Sequence, residues 1–223
     1  MNRSGRSLEP GGLNWKLNMN TLATALAAAV LVLAGASPAV AYPYDPVPKL
    51  VTDPRLAADG EYNLDLGHTS LTMRLSHMGL SVYTIRFNDI RAHYHYDSLH
   101  PTASHVEVQI DPASIDTGNS QFNASIARAY FQISKFPAIT FNSTRINATG
   151  NHGTVEGVLE MHGVKKPLIL NVIYNGFFGE EKPERMGFSG TTTLKRSDFG
   201  VDPYVPAEGD EVAISIEAEF RRA

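Results

Sequence analysis

The sequence predicts an all-β domain built as an antiparallel meander. Three observations carry that prediction: repeated period-two hydrophobic runs, short turn-like links between them, and one interruption with helical spacing. Leu71, Met73 and Leu75 alternate with Thr72, Arg74 and Ser76, so one face of that strand is apolar and the other meets water. The alternation returns at Val106, Val108 and Ile110 against His105, Glu107 and Gln109, and at Val155, Gly157, Leu159 and Met161 against Glu156 and Glu160. It returns again at Val212, Ile214, Ile216, Ala218 and Phe220 against Ser215, Glu217 and Glu219. Further runs at 61–66, 82–96, 138–146, 166–175 and 186–196 supply about eight strands or more. The links at 147–151 and 162–164 are of hairpin length. A meander this long removes its edges either by splitting into a sandwich or by closing into a barrel.

The interruption lies at 119–136. Phe122, Ile126, Ala129 and Tyr130 recur at spacings of three and four, which predicts a short amphipathic helix over one end of the sheet, capped by Asn119 or Ser120.

Ahead of the strands, residues 22–41 form an apolar run closed by small residues at Ala39 and Ala41. The stretch before Ser37 is about 15 residues, short of the roughly 20 that cross a bilayer, so 1–41 reads as a signal peptide cleaved after Ala41. Met1 and Met19 both stand as candidate starts. Residues 42–59 hold Pro43, Pro46, Pro48 and Pro54 and read as an extended lead-in, leaving 60–223 as the domain. The whole chain carries a net charge of −4. Without Arg3, Arg6, Lys16 and Glu9, 16 basic residues face 22 acidic ones, a poor surface for nucleic acid. There is no cysteine, which removes thiol chemistry and a lipid-anchored cysteine. The periplasm is the expected location, with secretion as second choice.

Few residues suggest chemistry. His93 and His95 sit two apart, hence on one face of a strand, and could chelate a transition metal. The opposite face, Ile90, Ala92, Tyr94 and Tyr96, is the apolar one, so both histidines are expected to meet water beside Arg91. His77 and His162 follow apolar series at strand ends, where a histidine closes a pocket rim or bonds a turn backbone. Gly-x-Ser-x-Gly, phosphate-loop and His-Glu-x-x-His patterns are lacking, so binding is expected rather than catalysis. Large apolar side chains abound, among them Phe87, Phe131, Phe136, Phe141, Phe178, Phe188, Met73, Met78 and Met161. About eight strands leave a barrel interior that side chains just fill or that holds one small ligand.

Seven stretches, in order, resemble the YceI-like family of exported lipid-binding proteins. They are Asp65–Ser70, Ser76–Ser81, Ser114–Gly118, Phe136–Phe141, Leu159–Leu168, Arg196–Gly200 and Gly209–Val212. The resemblance implies an extended, lipocalin-like antiparallel barrel that holds an isoprenoid chain, either a polyprenyl lipid or the tail of a quinone, with no other cofactor. Two places depart from the family pattern. Thr84 and Ile85 precede Arg86 and Phe87 where the family has a glycine, which predicts a narrower tunnel, and Ser125 stands where a histidine is usual, which predicts a lost head-group contact. The expected lining is Leu71, Met73, Leu75, Met78, Phe87 and Val108, with Phe131, Phe136, Phe141, Leu159, Met161 and Phe188, and with His77 and His162 nearest a polar head. Passing contact with a membrane or membrane protein, and a homodimer, complete the expected partners. The rival expectations are a solid-cored barrel acting through its outer surface as an interaction or inhibitor protein, and a metal enzyme at His93 and His95.

Overall fold

A computed structural model describes residues 49–178 and 184–223. The expected signal peptide and the first part of the lead-in fall outside the described residues. Within them, eleven strands make one antiparallel sheet: β1 (Gly60–Leu64), β2 (Ser70–His77), β3 (Ser81–Phe87), β4 (Ile90–Tyr96), β5 (His105–Ile110), β6 (Ile115–Asp116), β7 (Ile139–Thr149), β8 (His152–Met161), β9 (Val164–Phe178), β10 (Arg185–Lys195) and β11 (Glu211–Arg222). Eight of them, β1-β4-β5-β7-β8-β9-β10-β11, form a ring that closes where β11 pairs with β1. Of the two ways to remove edges, the chain takes the barrel.

The remaining three strands lengthen the wall. β11 pairs with β1 near Phe220 and with β2 near Ile214, so β1 and β2 are two halves of one long strand broken at 65–69. The apolar run at 82–96 is likewise two strands, β3 and β4, broken at Asn88 and Asp89. At each break a side chain takes up backbone amides that leave the ladder. Asp65 caps a single 3-10 turn by accepting from Gly67 N–H at 3.2 Å, and Ser114 Oγ accepts from Asn88 and Asp89 N–H at 3.2 and 2.9 Å.

The hairpin joining β8 to β9 has positive φ at both central residues, His162 (54°) and Gly163 (77°), the geometry of a type I′ turn. Only glycine fits at 163, because an added Cβ would stand 2.5 Å from the Phe136 ring. Helix α1 (Ser120–Ala129) begins where Asn119 accepts from the N–H groups of Gln121 and Phe122, and it packs on β6 and the turn at Pro112–Ser114. Its inward face is Phe122, Ser125, Ile126 and Tyr130. Ala129, expected on that face, is exposed, and Ala127 is buried instead.

The described end of the lead-in, 49–59, folds across the barrel end away from α1. Val51 bridges to Phe177, Tyr96 Oη donates to Pro54 O at 2.5 Å, and Glu184 accepts from Ala58 N–H at 2.9 Å. None of the helices among the described residues is long and apolar enough to cross a membrane.

Candidate functional site

The alternating strands turn their apolar side chains inward, and these do not meet across the middle. They enclose a cavity of about 1550 Å³. Well-packed interiors leave few voids larger than a water molecule, so a space of this size is built rather than left over. The solid-core expectation is therefore corrected: eight strands set a circumference that the chosen side chains do not fill. Met73, Leu75 and Val108 point inward yet keep some accessible surface, because that surface faces the cavity. The wall includes exposed residues at both ends, Ser81, Phe122 and Ser125 beside α1 and Arg55, Leu99, Asn151 and His152 at the other, so the cavity reaches solvent at each.

Of the residues expected in the lining, Leu71, Met73, Leu75 and His77 on β2 lie on the wall, as do Phe87, Val108, Phe131, Phe141, Leu159, Met161 and Phe188. Phe141 lies over Gly157, where an added Cβ would be 2.4 Å from the ring. Three expected residues lie elsewhere, and turn geometry explains two of them, Met78 and His162. Met78 has φ 53° in the β2–β3 turn, which throws its side chain into solvent at 62% exposure. His162, in the β8–β9 turn, points away from the cavity and bonds Phe199 O through Nδ1 at 3.1 Å. Phe136, in the segment that leads into β7, does not line the cavity and packs with its ring tilted against His162, centroids 4.5 Å apart. Parity along a strand assigns sides only up to the turn; beyond it the backbone no longer alternates.

Several wall residues escaped sequence reasoning. Arg196 follows β10 and is 7% exposed, yet its guanidinium donates to four carbonyls, those of Gly209, Val201, Pro203 and Glu208, at 2.9–3.0 Å. Nothing in a Lys-Arg-Ser sequence announces a buried cation. β9 contributes Leu168, Leu170, Val172 and Tyr174, but its outer face carries Ile169 and Ile173, so apolar residues on both faces hid the parity.

Polar groups divide unequally between the two ends. Beside α1 stand His77, Ser81, Ser125, Arg196 and Glu208. The far end has Ser98, Ser104, Asn147, Asn151 and His152, together with Tyr94, Tyr96 and Tyr174. Burial pushes the tyrosine pKa values upward, that of Tyr96 to about 12 with help from the nearby Asp59 carboxylate, so these hydroxyls are neutral donors at ordinary pH.

The histidine pair considered for metal lies on the outside. His93 Nε2 and His95 Nδ1 meet the two oxygens of Glu61 at 2.7 and 2.6 Å, and His95 stacks on His105 at 5.1 Å. Hydrogen bonding from His95, then from His93, outweighs desolvation and holds the Glu61 carboxyl below its usual range. Among the described residues, the convergent group of potential ligand atoms is Asp65, His68 and Glu219. Arg221 already sits on Asp65 Oδ2 at 2.6 Å, where a metal cation would have to displace it.

Comparison with known proteins agrees with this architecture. The model of the YceI-like domain matches residues 62–220. A UPF0312 protein of Shewanella baltica is 37% identical over 154 residues, 66% of this chain and 80% of the relative. A UPF0312 protein of Pseudomonas aeruginosa is 31% identical over 167 residues, 74% and 87% of the two chains. Among solved structures, BcnA of Burkholderia cenocepacia superposes with a TM-score of 0.62 at 23% identity, covering 70% of this chain and 98% of BcnA. A polyisoprenoid-binding domain from Saccharophagus degradans superposes with a TM-score of 0.56 at 16% identity, covering 73% and 98%. These two likenesses are of fold. The family match runs from β1 to β11, through every strand of the closed ring, and on that ground the chain belongs to the YceI-like family.

Proposed function

We propose that this protein is an exported carrier or store for an isoprenoid lipid, a polyprenyl lipid or a quinone, held by its tail inside the barrel. In this role it binds and releases its ligand without transforming it. The observation that carries the proposal is the cavity of about 1550 Å³ with an aliphatic and aromatic wall inside a closed barrel. Each methylene moved from water into such a wall contributes about 0.8 kcal/mol, so a chain of several prenyl units gains many times thermal energy. A related fold from Saccharophagus degradans is described as polyisoprenoid-binding, which supports the same ligand class here. The small residues at Ala39 and Ala41 support export, and the periplasm is the proposed place of action.

Native mass spectrometry tests this on protein purified from the periplasm of a bacterium expressing the whole chain, followed by organic extraction of what is released. One isoprenoid per chain is the expected result, and the same spectrum reports whether chains pair. A barrel that is empty and also refuses added polyprenyl and quinone ligands overturns the proposal.

A further inference from the structure

Large apolar side chains stand in water around the cavity mouth beside α1. Met78, Leu80 and Val82 on the β2–β3 hairpin, Phe122 on α1 and Tyr204 in the loop before β11 are all more than half exposed, Leu80 at 83%. Their three segments converge there. Met78 N–H donates to Ala207 O at 2.8 Å, Tyr130 lies against Tyr204 with ring centroids 6.4 Å apart, and Ser81 and Phe122 belong to the cavity wall. Met78 and Tyr204 also hold positive φ, 53° and 61°, a backbone conformation that bulky residues seldom adopt. Strain and apolar exposure both disfavour the free protein, and together they mark a contact surface.

The surrounding chemistry selects the partner. Residues 75–85 and 203–207 contain no Asp, Glu, Lys or Arg, so the hairpin tip and the loop can leave water without dehydrating an ion. The exposed leucines of the opposite end, Leu50, Leu56 and Leu99, instead lie within two residues of Lys49, Arg55 and Asp97. Aromatic rings such as Phe122 and Tyr204 suit the level of lipid headgroups. We propose that Met78–Val82, Phe122 and Tyr204 enter the surface of a phospholipid bilayer, so that the mouth beside α1 opens onto the membrane. The isoprenoid tail then moves between bilayer and cavity with few of its methylenes exposed to water, which lowers the barrier to transfer. A lasting protein partner on the same rim would plug that route. This inference rests on the isoprenoid-carrier proposal.

The test uses protein recovered from the periplasm of cells expressing the whole chain, and vesicles of phosphatidylcholine alone. The wild type is expected to sediment with the vesicles, and adding about 1 M salt, which screens ion pairs, should leave binding in place. Asparagine accepts the left-handed backbone at 78, so the double variant Met78→Asn, Leu80→Ser should keep its Tm while vesicle binding weakens about tenfold. Leu56→Ser, at the opposite end, should bind as the wild type does. Trp15 lies ahead of Ala41, so Leu80→Trp gives the processed protein a single indole, which brominated phosphatidylcholine should quench. Unchanged binding by the double variant, an equal loss in Leu56→Ser, or an unquenched indole overturns the inference. So does a double variant that splits a dimer while the wild type ignores vesicles, which would put a second copy on the rim. A wild type that carries isoprenoid but leaves vesicles alone overturns the docking surface and spares the carrier proposal. One that binds vesicles but neither holds nor takes up isoprenoid overturns the carrier proposal and spares the docking surface.

Discussion

Arg196 shows how much one side chain can do that the sequence does not advertise. Its guanidinium replaces water with four carbonyls from 201–209 and so shapes the segment that leads into β11 beside the cavity mouth. Arg196→Met keeps most of the volume but strands those carbonyls, and the expected cost is about 3 kcal/mol or more. A thermal melt should show it as a fall in Tm of roughly 6 to 12 °C for a domain of this size. Residue-level legibility followed backbone regularity. Leu71, Met73, Leu75, Leu159 and Met161 could be placed on the inner face from alternation, whereas Met78 and His162 could not, because positive φ at each ended the alternation.

At the scale of elements, the strands were legible wherever one face was polar, and α1 was legible from its cap and spacing. Asn119 accepts two of the N–H groups that the first helical turn leaves unpaired. Asn119→Ala should cost about 1 kcal/mol. Amide exchange across Ser120–Ala129 should then speed up about fivefold while the ring strands keep their protection. The breaks in the long strands were not legible. Asn88 and Asp89 sit inside an apolar run that reads as continuous, and the break depends on Ser114, a residue distant in sequence that takes both amides.

For the whole molecule, the deciding quantity is the space left inside the ring. Met161→Trp, on the inner face of β8, should lower the lipid recovered per chain by obstructing the cavity, as measured by extraction from purified protein. Val158→Trp, on the outer face of the same strand with Val158 37% exposed, should leave lipid recovery unchanged. Equal lipid recovery in both variants would remove Met161 from the binding wall. By itself the sequence determined that the chain is all-β, which faces of most strands turn inward, where the helix begins, and its likeness to the YceI-like family, since alternation, capping and turn residues are local properties. Tertiary structure alone decided that β11 closes onto β1, that the interior stays open, and that the Tyr174 hydroxyl has no hydrogen-bond partner among the described residues while that of Tyr96 has Pro54 O. Closure and emptiness depend on how strand number and side-chain volume balance around the ring, and a hydroxyl's partner depends on which loops arrive beside it; neither is written in any window of neighbouring residues.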